Sequence, residues 1–332
     1  MSNQPILSIC IPTYCRANNL DQCLGVIFNQ IAANPDLLSK VEIVVSDNAS
    51  TDGTSLVVGK YVKQYTNIKY FVNKENLGCD KNYINSVINS NGTYAWIIGD
   101  DDFILNDALD YLVKYFEKNT IAIYTIETEK FIDIASVSKK RNFPSIVEQF
   151  APKSHNEFFK KNYCIGVLSS MIFNRRMWLS VDRIGYLAGW SYHEIALKMI
   201  VLSDLPLVHN GASIVATVQS CDWVKNGTEF YYFINWKKVL KKLPSFGYDE
   251  NYVNHLLLPF PKRLITILLR AKGNGLGCST KNMKLLISEF IDAPFYLFLA
   301  ILIYMLPNNL IKFLRNSRKK IIFVLKNRYQ HI

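Results

Sequence analysis

Short apolar runs that suit β-strands alternate with segments of helical periodicity through the first 127 residues. Five runs have the length and composition of buried strands: Ile6–Ile11, Val41–Val45, Ile68–Val72, Tyr94–Ile98 and Ile121–Ile126. Between the first two runs, Leu24, Ile27 and Ile31 recur at the spacing of one helix face. Repeated strand–helix–strand units predict a mostly parallel sheet with helices on both faces. The pattern therefore predicts an α/β fold.

Polar segments follow four of these runs, where the predicted strands end. They are Pro12-Thr13-Tyr14 with Arg16, Ser46 to Thr54, Asn76-Leu77-Gly78 with Lys81 and Asn82, and Asp100-Asp101-Asp102. In open α/β sheets, ligands bind just beyond the carboxyl ends of the strands. The four segments therefore predict one binding site at that edge.

The acidic triplet Asp100-Asp101-Asp102 predicts a metal site. Adjacent carboxylates repel one another unless a cation offsets their charge, and hard ions such as Mg²⁺ bind carboxylate and phosphate oxygens together. The alternative is a polar turn in which one Asp caps the next helix. One cap needs one Asp, and Asp107 already stands before the following helix. The metal site is therefore the favoured interpretation.

The other segments carry groups that suit a nucleotide. Asp47 ends the second run, where a carboxylate can accept hydrogen bonds from a base or ribose. The Thr13 hydroxyl, the Tyr14 ring and the Arg16 cation can all contact a nucleotide, whereas Asp52 with the following glycine suits a turn. No GxGxxG follows the first run and no GxxxxGK[ST] occurs, so neither a dinucleotide site nor a P-loop is predicted.

The order of these segments resembles a known family. IPTYCR, SDNASTDGT, NLGCDKN and WIIGDDD are similar to the N-terminal domain of family 2 glycosyltransferases, and most similar to bacterial O-antigen transferases of the abequosyltransferase type. The resemblance is specific over about residues 5–115 and faint over 160–215. It implies a GT-A-like, Rossmann-type domain.

The resemblance also implies a nucleotide-diphosphate sugar as donor. Pro12, Thr13 and Tyr14 then lie near the nucleotide, and Asp47 binds the base or ribose. The other donor-site positions that it implies are Arg16, Asn48, Asn76, Gly78, Lys81, Asp100 and Asp101.

In the same resemblance, Mg²⁺ or Mn²⁺ is the cofactor. Asp100 and Asp102 take the outer positions of the Asp-x-Asp pattern, with Asp102 as the direct metal ligand. Gly99 stands where many relatives carry the first acid of Asp-x-Asp-Asp. The choice of metal ligands among the three aspartates therefore stays open.

Transfer to a hydroxyl also needs a general base within hydrogen-bond reach. Family 2 enzymes usually supply an acid from the second half of the catalytic domain. The nearest match here is Trp190-Ser191-Tyr192-His193-Glu194, with Glu194 the first choice and His193 the second. The alternative is that Glu194 caps a helix or faces solvent. More distant candidates for the base are Asp182 and Asp222.

One further segment resembles the part that closes over the acceptor. It contains Ser169, Ser170, Arg175 and Arg176. The two arginines are equally compatible with a solvated helix end.

The positive charge is confined to the last third of the chain. Residues 1–236 hold 21 Lys and Arg against 23 Asp and Glu, whereas residues 237–332 hold 17 against 4. That third also contains the apolar run Ala293–Leu306, which is 14 residues long and followed by basic residues. The run falls short of the ~20 residues that span a bilayer. An interfacial segment on anionic lipid is favoured over the alternative, a buried core helix with a solvated basic tail.

Domain boundaries follow from these shifts in pattern. We predict a glycosyltransferase domain over 1–236, with a nucleotide-sugar half at 1–127 and an acceptor half at 128–236. A helical, basic and apolar region follows at 237–332, associated with the membrane. Its basic residues alternate with aliphatic runs rather than with stacking aromatics, so a nucleic-acid partner is not predicted.

Composition places the chain in a reducing compartment. Hydrophobic residues make up 49% and charged residues 20% of the chain, which excludes disorder and coiled coil. Seven scattered cysteines without a CxxC pair predict neither a disulfide framework nor a zinc site. The first ten residues lack the features of a secretory signal. We therefore expect a cytoplasmic protein at the inner face of the inner membrane.

Together these observations predict an enzyme that transfers a sugar to a lipid-linked saccharide in O-antigen-like polysaccharide assembly. One alternative is a nucleotidyltransferase of the same fold, which needs a glycine-rich loop after the first strand that residues 12–16 lack. The other is a non-catalytic, membrane-bound scaffold that retains a nucleotide pocket.

Overall fold

All five apolar runs contribute strands in the computed structural model, which describes residues 4–144, 146–161, 167–182, 190–218 and 227–313. The strands are β1 Leu7–Thr13, β2 Val41–Asp47, β3 Ile68–Val72, β4 Tyr94–Ile97, β5 Phe103–Ile104, β6 Ile123–Lys130, β7 Glu148–Phe150, β8 Met171–Asn174 and β9 Leu207–Thr217. They form one sheet of order β3-β2-β1-β4-β8-β6-β9-β5, and β7 also pairs with β9. The α/β class predicted from the sequence is confirmed.

Parallel pairing dominates the half of the sheet that precedes the acidic triplet. Strands β3, β2, β1 and β4 are parallel to one another, and β6 is parallel to β9. Strand β8 runs antiparallel between β4 and β6, and β5 and β7 run antiparallel to β9. The two residues of β5 are too few to produce a periodic signal, so the sequence pattern did not predict that strand.

Helices flank this sheet in the first of two compact units, Met1–Gln219 with Phe246–Tyr248. They are α1 Ala17–Ala33, α2 Leu37–Lys40, α3 Thr54–Gln64, α4 Cys79–Ile88, α5 Ala108–Lys118, α6 Ile134–Val137, α7 His155–Lys160, α8 Arg175–Ser180 and α9 Ser191–Leu202, with a 3₁₀ turn at Leu168–Ser170. The apolar face of α1, including Leu24, Ile27 and Ile31, is buried in the core. Every residue of β1 and β2 is buried, as expected when both faces of a parallel sheet are covered.

The second unit, Ser220–Ser245 with Asp249–Ile332, is helical in its described part. Its helices are α10 Glu229–Phe246, α11 Glu250–Leu257, α12 Phe260–Gly273, α13 Thr280–Phe290 and α14 Pro294–Met305. The helical C-terminal region is thus confirmed, and α14 lies within the apolar run Ala293–Leu306. Among the residues that the structure describes, we find no helix with the length and apolarity to cross a membrane.

A buried carboxylate fastens the amino-terminal edge of the sheet. Glu42 on β2 is 3% exposed and accepts hydrogen bonds from the Ser8 hydroxyl (2.6 Å) and the Asn91 backbone N–H (2.7 Å). Its other oxygen pairs with Lys69. The Ser8 hydroxyl in turn accepts from the Gly92 N–H at 2.7 Å. This cluster ties β1, β2 and the approach to β4 together at the edge away from the polar segments.

We expect Glu42→Ala to lower the free energy of unfolding by about 2–3 kcal/mol, because it leaves buried donors without their acceptor. Urea denaturation followed by tryptophan fluorescence measures this change. Glu75→Ala is the matched control, since Glu75 is exposed and such a substitution changes stability by about 0.5 kcal/mol or less. Equal unfolding midpoints for the two variants would contradict the role given to Glu42.

Candidate active site

The polar segments after β1, β2 and β4 meet at one edge of the sheet. Thr13 at the end of β1 lies opposite Asp47 at the end of β2 in their parallel ladder. Strand β4 is parallel to β1, with Cys10 opposite Ile97, so Asp100 follows at the same edge. The carboxyl ends of the strands thus bring together the segments that the sequence predicted to share a site.

Two residues from the β1 segment bind the acidic triplet directly. The Thr13 hydroxyl donates to Asp100 Oδ2 at 2.7 Å. Arg16 Nη1 lies 3.2 Å from Asp100 Oδ1, and its Nη2 lies 2.5 Å from Asp101 Oδ2. Thr13 and Asp100 are each 3% exposed. The sequence analysis placed these four residues in one site, and the structure brings them into contact.

Asp102 has a different partner, Ser169 in the 3₁₀ turn. The Ser169 hydroxyl donates to Asp102 Oδ2 and accepts from the Gly99 N–H at 3.2 Å. Trp96 Nε1 donates to the Ser169 carbonyl at 2.8 Å, which fixes the turn to β4. The resemblance assigned Ser169 to the segment over the acceptor. The contact with Asp102 joins residues 67 positions apart and has no local sequence signal.

Burial changes the ionisation of two of the three aspartates. Burial raises the pKa of Asp100 to about 6, although Arg16 and the Thr13 hydroxyl oppose the rise. Burial also raises the pKa of Asp102 to about 7, opposed by the Ser169 hydroxyl and reinforced by the neighbouring Asp101. Both carboxyls therefore occupy a position where a further positive charge would favour the ionised form.

Two carboxylate oxygens of the triplet lie close to Gly99. A Cβ atom placed on Gly99 would lie 2.9 Å from Asp101 Oδ1 and 3.1 Å from Asp102 Oδ2. Two carboxylate oxygens therefore face a volume that any side chain at position 99 would fill. The oxygens of Asp100 are directed to Thr13 and Arg16 instead. Hard carboxylate oxygens suit Mg²⁺ or Mn²⁺.

The protein alone supplies few ligands for such a cation. In the described parts of the chain, no cluster of three or more His, Cys, Asp and Glu side chains has the arrangement of a metal site. Mg²⁺ is commonly held by one or two carboxylates together with substrate phosphates and water. The triplet therefore fits a cation that is bound jointly with a phosphate-bearing ligand.

Asp47 is held in place by two donors. Its Oδ1 accepts from the Ser50 N–H at 2.8 Å, and its Oδ2 accepts from the Tyr70 hydroxyl at 2.6 Å. Burial, together with the hydrogen bond to Asp47, raises the pKa of Tyr70, so this phenol stays protonated and donates. Asp47 itself is 2% exposed. The sequence analysis did not identify Tyr70, which contacts Asp47 from the neighbouring strand β3.

An asparagine network fixes the loops around Asp47. Asn48 Nδ2 donates to Asn76 Oδ1 at 2.7 Å, and Asn48 Oδ1 accepts from the Leu77 N–H at 2.9 Å. Asn82 Nδ2 donates to the Ser46 carbonyl at 2.9 Å. Side chains from the β2 loop, the β3 loop and α4 therefore hold one another in position.

Gly78 lets the chain turn from the β3 loop into α4. Its φ of +82° lies in the left-handed region that favours glycine. Its N–H donates to Asn76 Oδ1 at 2.9 Å. Gly78 thus shapes the loop, whereas Lys81 is exposed on the first turn of α4.

The remaining residues of the first two segments have simpler positions. Pro12 is buried in β1, and Tyr14 is 46% exposed beside it. The Asp52 side chain accepts from the Thr54 N–H at 3.0 Å and the Ala17 N–H at 3.1 Å. Asp52 therefore stabilises the starts of α3 and α1, in agreement with its interpretation as a turn residue.

The candidate bases lie on the first turn of α9. Glu194 is fully buried, which excludes the alternative that it faces solvent. The His193 ring packs against Trp190, with centroids 4.5 Å apart. The Tyr192 hydroxyl donates to the Leu168 carbonyl at 3.2 Å, so α9 begins beside the turn that carries Ser169. The role of Glu194 or His193 as the base stays a prediction.

Arg175 lies at the opposite edge of the sheet from the triplet. Its Nε donates to the Val87 carbonyl at 3.1 Å and to the Ser90 hydroxyl at 2.9 Å, and its backbone N–H donates to the Thr93 carbonyl before β4. It therefore caps the end of α4. The position that the resemblance gave it over the acceptor is not the one observed.

Two more distant candidates for the base were named from the sequence. Asp182 is exposed after α8, and Asp222 lies outside the described residues.

Sequence comparison identifies relatives of this chain. It is 28% identical to the abequosyltransferase RfbV of Salmonella typhimurium over 309 residues, which cover 84% of this chain and 91% of that protein. It is 33% identical over 111 residues to the GalNAc(5)-diNAcBac-PP-undecaprenol beta-1,3-glucosyltransferase of Campylobacter jejuni, covering 33% of this chain and 34% of that protein.

Structure comparison identifies solved proteins with a similar fold. TarS 1-349 of S. aureus in complex with UDP-GlcNAc superposes with a TM-score of 0.59 at 15% identity, covering 95% of this chain and 92% of that one. The mannosyltransferase PcManGT of Pyrobaculum calidifontis, in complex with GDP-Man and Mn²⁺, gives 0.56 at 16% identity, covering 90% and 86%. The family model for glycosyl transferase family 2 matches residues 8–180, just over half of the 332 residues. This chain therefore belongs to glycosyl transferase family 2 and is a glycosyltransferase, as its strand-end motifs predicted.

Proposed function

We propose that this glycosyltransferase moves a sugar from a nucleotide-diphosphate sugar to a hydroxyl of a lipid-linked saccharide during the assembly of an O-antigen-like surface polysaccharide. The observation that carries the proposal is the contact of Thr13 and Arg16 with the acidic triplet, beside Asp47 at the same strand edge. One edge thus offers a hydrogen-bond acceptor for a base or ribose and a charged site for a diphosphate.

The donor occupies this edge in the proposed reaction. The nucleotide lies near Pro12, Thr13 and Tyr14, and Asp47 accepts hydrogen bonds from its base or ribose. The asparagine network of Asn48 and its partners keeps the surrounding loops in one conformation. Support comes from solved neighbours of the same fold that bind UDP-GlcNAc and GDP-Man.

The acidic triplet has to help stabilise the negative charge that develops on the leaving group. Breaking the bond between the sugar and the nucleotide places negative charge on the diphosphate. A bound Mg²⁺ or Mn²⁺ supplies Lewis-acid stabilisation of that charge. Asp101 and Asp102 face the space over Gly99 and would hold the ion, whereas Arg16 holds Asp100 and Asp101. Ser169 keeps Asp102 oriented toward the same space.

The acceptor hydroxyl loses its proton to a general base in this proposal. Glu194 is the first choice and His193 the second, since α9 begins beside the turn that holds Ser169.

Residues 1–127 form the donor half and residues 128–236 the acceptor half. The acceptor is placed on a lipid because one relative is named for a saccharide on undecaprenol diphosphate and another is an abequosyltransferase. The protein then works at the cytoplasmic face of the membrane.

A donor screen with purified protein tests this function. We expect one or a few of the UDP-, CDP-, GDP- and dTDP-sugars to release nucleotide diphosphate with Mg²⁺ or Mn²⁺, faster when polyprenyl-diphosphate saccharides are added. A chelator should lower turnover at least about tenfold and excess metal should restore it. Mass spectrometry of the lipid product reports the added sugar.

The same assay separates the rival functions. A nucleotidyltransferase would instead release pyrophosphate from a nucleoside triphosphate and a sugar phosphate. A scaffold would bind nucleotide diphosphates in a calorimeter without releasing any from a nucleotide sugar. The proposal would be overturned by either of these results, provided that no nucleotide sugar in the screen releases nucleotide diphosphate.

A further inference from the structure

One face of α14 is apolar and exposed. Phe295 is 67% exposed, Phe298 60%, Leu302 51% and Met305 64%. At 100° per residue these four side chains fall within an arc of about 80°, and we name this set the α14 face. Ala300 and Tyr304 project from the opposite side and are buried. The helix is therefore anchored by one side and presents bulky apolar groups on the other.

The α14 face is unusual for a surface that contacts only water. Soluble proteins expose single apolar residues commonly, whereas contiguous apolar patches mark sites of interaction. The 12 residues of α14 include no charged side chain. Leu310, 41% exposed, and Phe313, 67% exposed, are further exposed apolar residues after Pro307.

We propose that the α14 face binds the interfacial region of a lipid bilayer that contains anionic lipid, with the helix lying in the plane of the surface. This inference deepens the proposed function, on which it rests, by naming the surface that brings the enzyme to a lipid-linked acceptor. A helix of 12 residues is about 18 Å long, whereas a spanning helix needs ~20 residues. A helix too short to span the bilayer can instead place its exposed apolar side chains at the boundary of head groups and acyl chains.

The C-terminal part of the chain carries surplus positive charge, which favours an anionic partner. Residues 237–313 hold 11 Lys and Arg against four Asp and Glu. Lys312 is exposed beside Phe313. The sequence from 314 to 332 adds six basic residues and no acidic residue: Arg315, Arg318, Lys319, Lys320, Lys326 and Arg328. Basic residues near an apolar helix strengthen binding to the anionic cytoplasmic leaflet.

The same charge argues against a second copy of the chain as the occupant. Two copies meeting at this face would bring together two regions that each carry surplus positive charge, which is unfavourable. An anionic lipid surface gains from that charge instead. Burying the four exposed side chains of the α14 face in the interface supplies the apolar part of the binding.

Vesicle flotation with the full chain tests the inference. Wild-type protein should float with vesicles of phosphatidylethanolamine and phosphatidylglycerol, and bind vesicles of phosphatidylcholine alone more weakly. The triple variant Phe295→Ser, Phe298→Ser, Leu302→Ser should bind the anionic vesicles at least about tenfold more weakly. The single variant Phe298→Ser should bind the anionic vesicles more weakly than the wild type and more strongly than the triple variant. Circular dichroism and the thermal midpoint report whether each variant is folded.

The matched control places three serines at exposed apolar positions of the first unit. Leu56, Ile132 and Ile146 are 76%, 74% and 85% exposed, so their serine variant should bind vesicles like wild type. Unchanged flotation of the folded triple variant, or no flotation of the wild type, would overturn the inference. The inference would also be overturned if the triple variant changed from dimer to monomer in light scattering while its vesicle binding stayed the same as that of the wild type.

Failure of this inference is distinguishable from failure of the proposed function. Calorimetric titration with nucleoside diphosphates and Mn²⁺ probes the triplet and Asp47 in the first unit. Nucleotide binding without vesicle binding removes only the role of the α14 face. Vesicle binding without nucleotide binding or donor turnover removes the proposed function and leaves the lipid-binding surface.

Discussion

Asp102→Asn is expected to lower sugar transfer by about 10³-fold while the protein stays folded. The asparagine keeps an acceptor for the Ser169 hydroxyl, so the link between the triplet and the 3₁₀ turn can persist. It removes the negative charge of the carboxylate whose Oδ2 faces the space over Gly99. Groups that stabilise developing charge on a leaving group contribute on this scale to the rate. Steady-state release of nucleotide diphosphate measures the loss.

The control for this variant is Asp110→Asn. Asp110 lies on α5 in an exposed pair with Lys114, so the same chemical change there should leave turnover near the wild-type value. Thermal unfolding of both variants checks that the fold is retained. Suppose that folded Asp102→Asn, with divalent metal chelated, turns over faster than a tenth of the wild-type rate. That result would rule out Asp102 as a ligand of a catalytic metal ion.

The strands that form the donor edge could be predicted from the sequence because their signals are local. Each is a continuous apolar run, since both faces of a parallel strand are covered. Thr13, Asp47 and Asp100 follow those runs directly, so the topology alone placed them at one edge. The prediction required no knowledge of side-chain contacts, and the observed Thr13–Asp100 hydrogen bond agrees with it.

Contacts between distant segments could not be predicted in the same way. Ser169 reaches Asp102 only because the antiparallel strand β8 pairs with β4 and brings the 3₁₀ turn beside the triplet. Tyr70 reaches Asp47 across the β2–β3 ladder, and one tyrosine among 19 carries no mark of that role. Arg175 follows a serine pair in the sequence but caps α4 at the far edge. A pattern in one segment gives no information on the register of another.

Asp47→Asn is expected to weaken the binding of the preferred nucleoside diphosphate about 10- to 100-fold. The variant loses the charge that strengthens hydrogen bonds from a base or ribose, and bonds to charged groups contribute about 1.5–3 kcal/mol. The remaining oxygen can still accept from the Ser50 N–H, so the loop after β2 keeps one of its two anchors. Isothermal titration calorimetry measures the dissociation constant for each nucleotide.

Tyr70→Phe separates recognition by Asp47 from its structural contacts. This variant removes the hydroxyl that donates to Asp47 Oδ2 but leaves the carboxylate, its charge and the Ser50 contact in place. If Asp47 binds the nucleotide directly, Tyr70→Phe should weaken binding only a few-fold, because an oriented acceptor is still present. If Asp47 acts only by holding the loop, both variants should weaken binding equally and lower the unfolding midpoint together. Equal losses would therefore assign the nucleotide contact to other groups at this edge, with Asp47 as part of their scaffold.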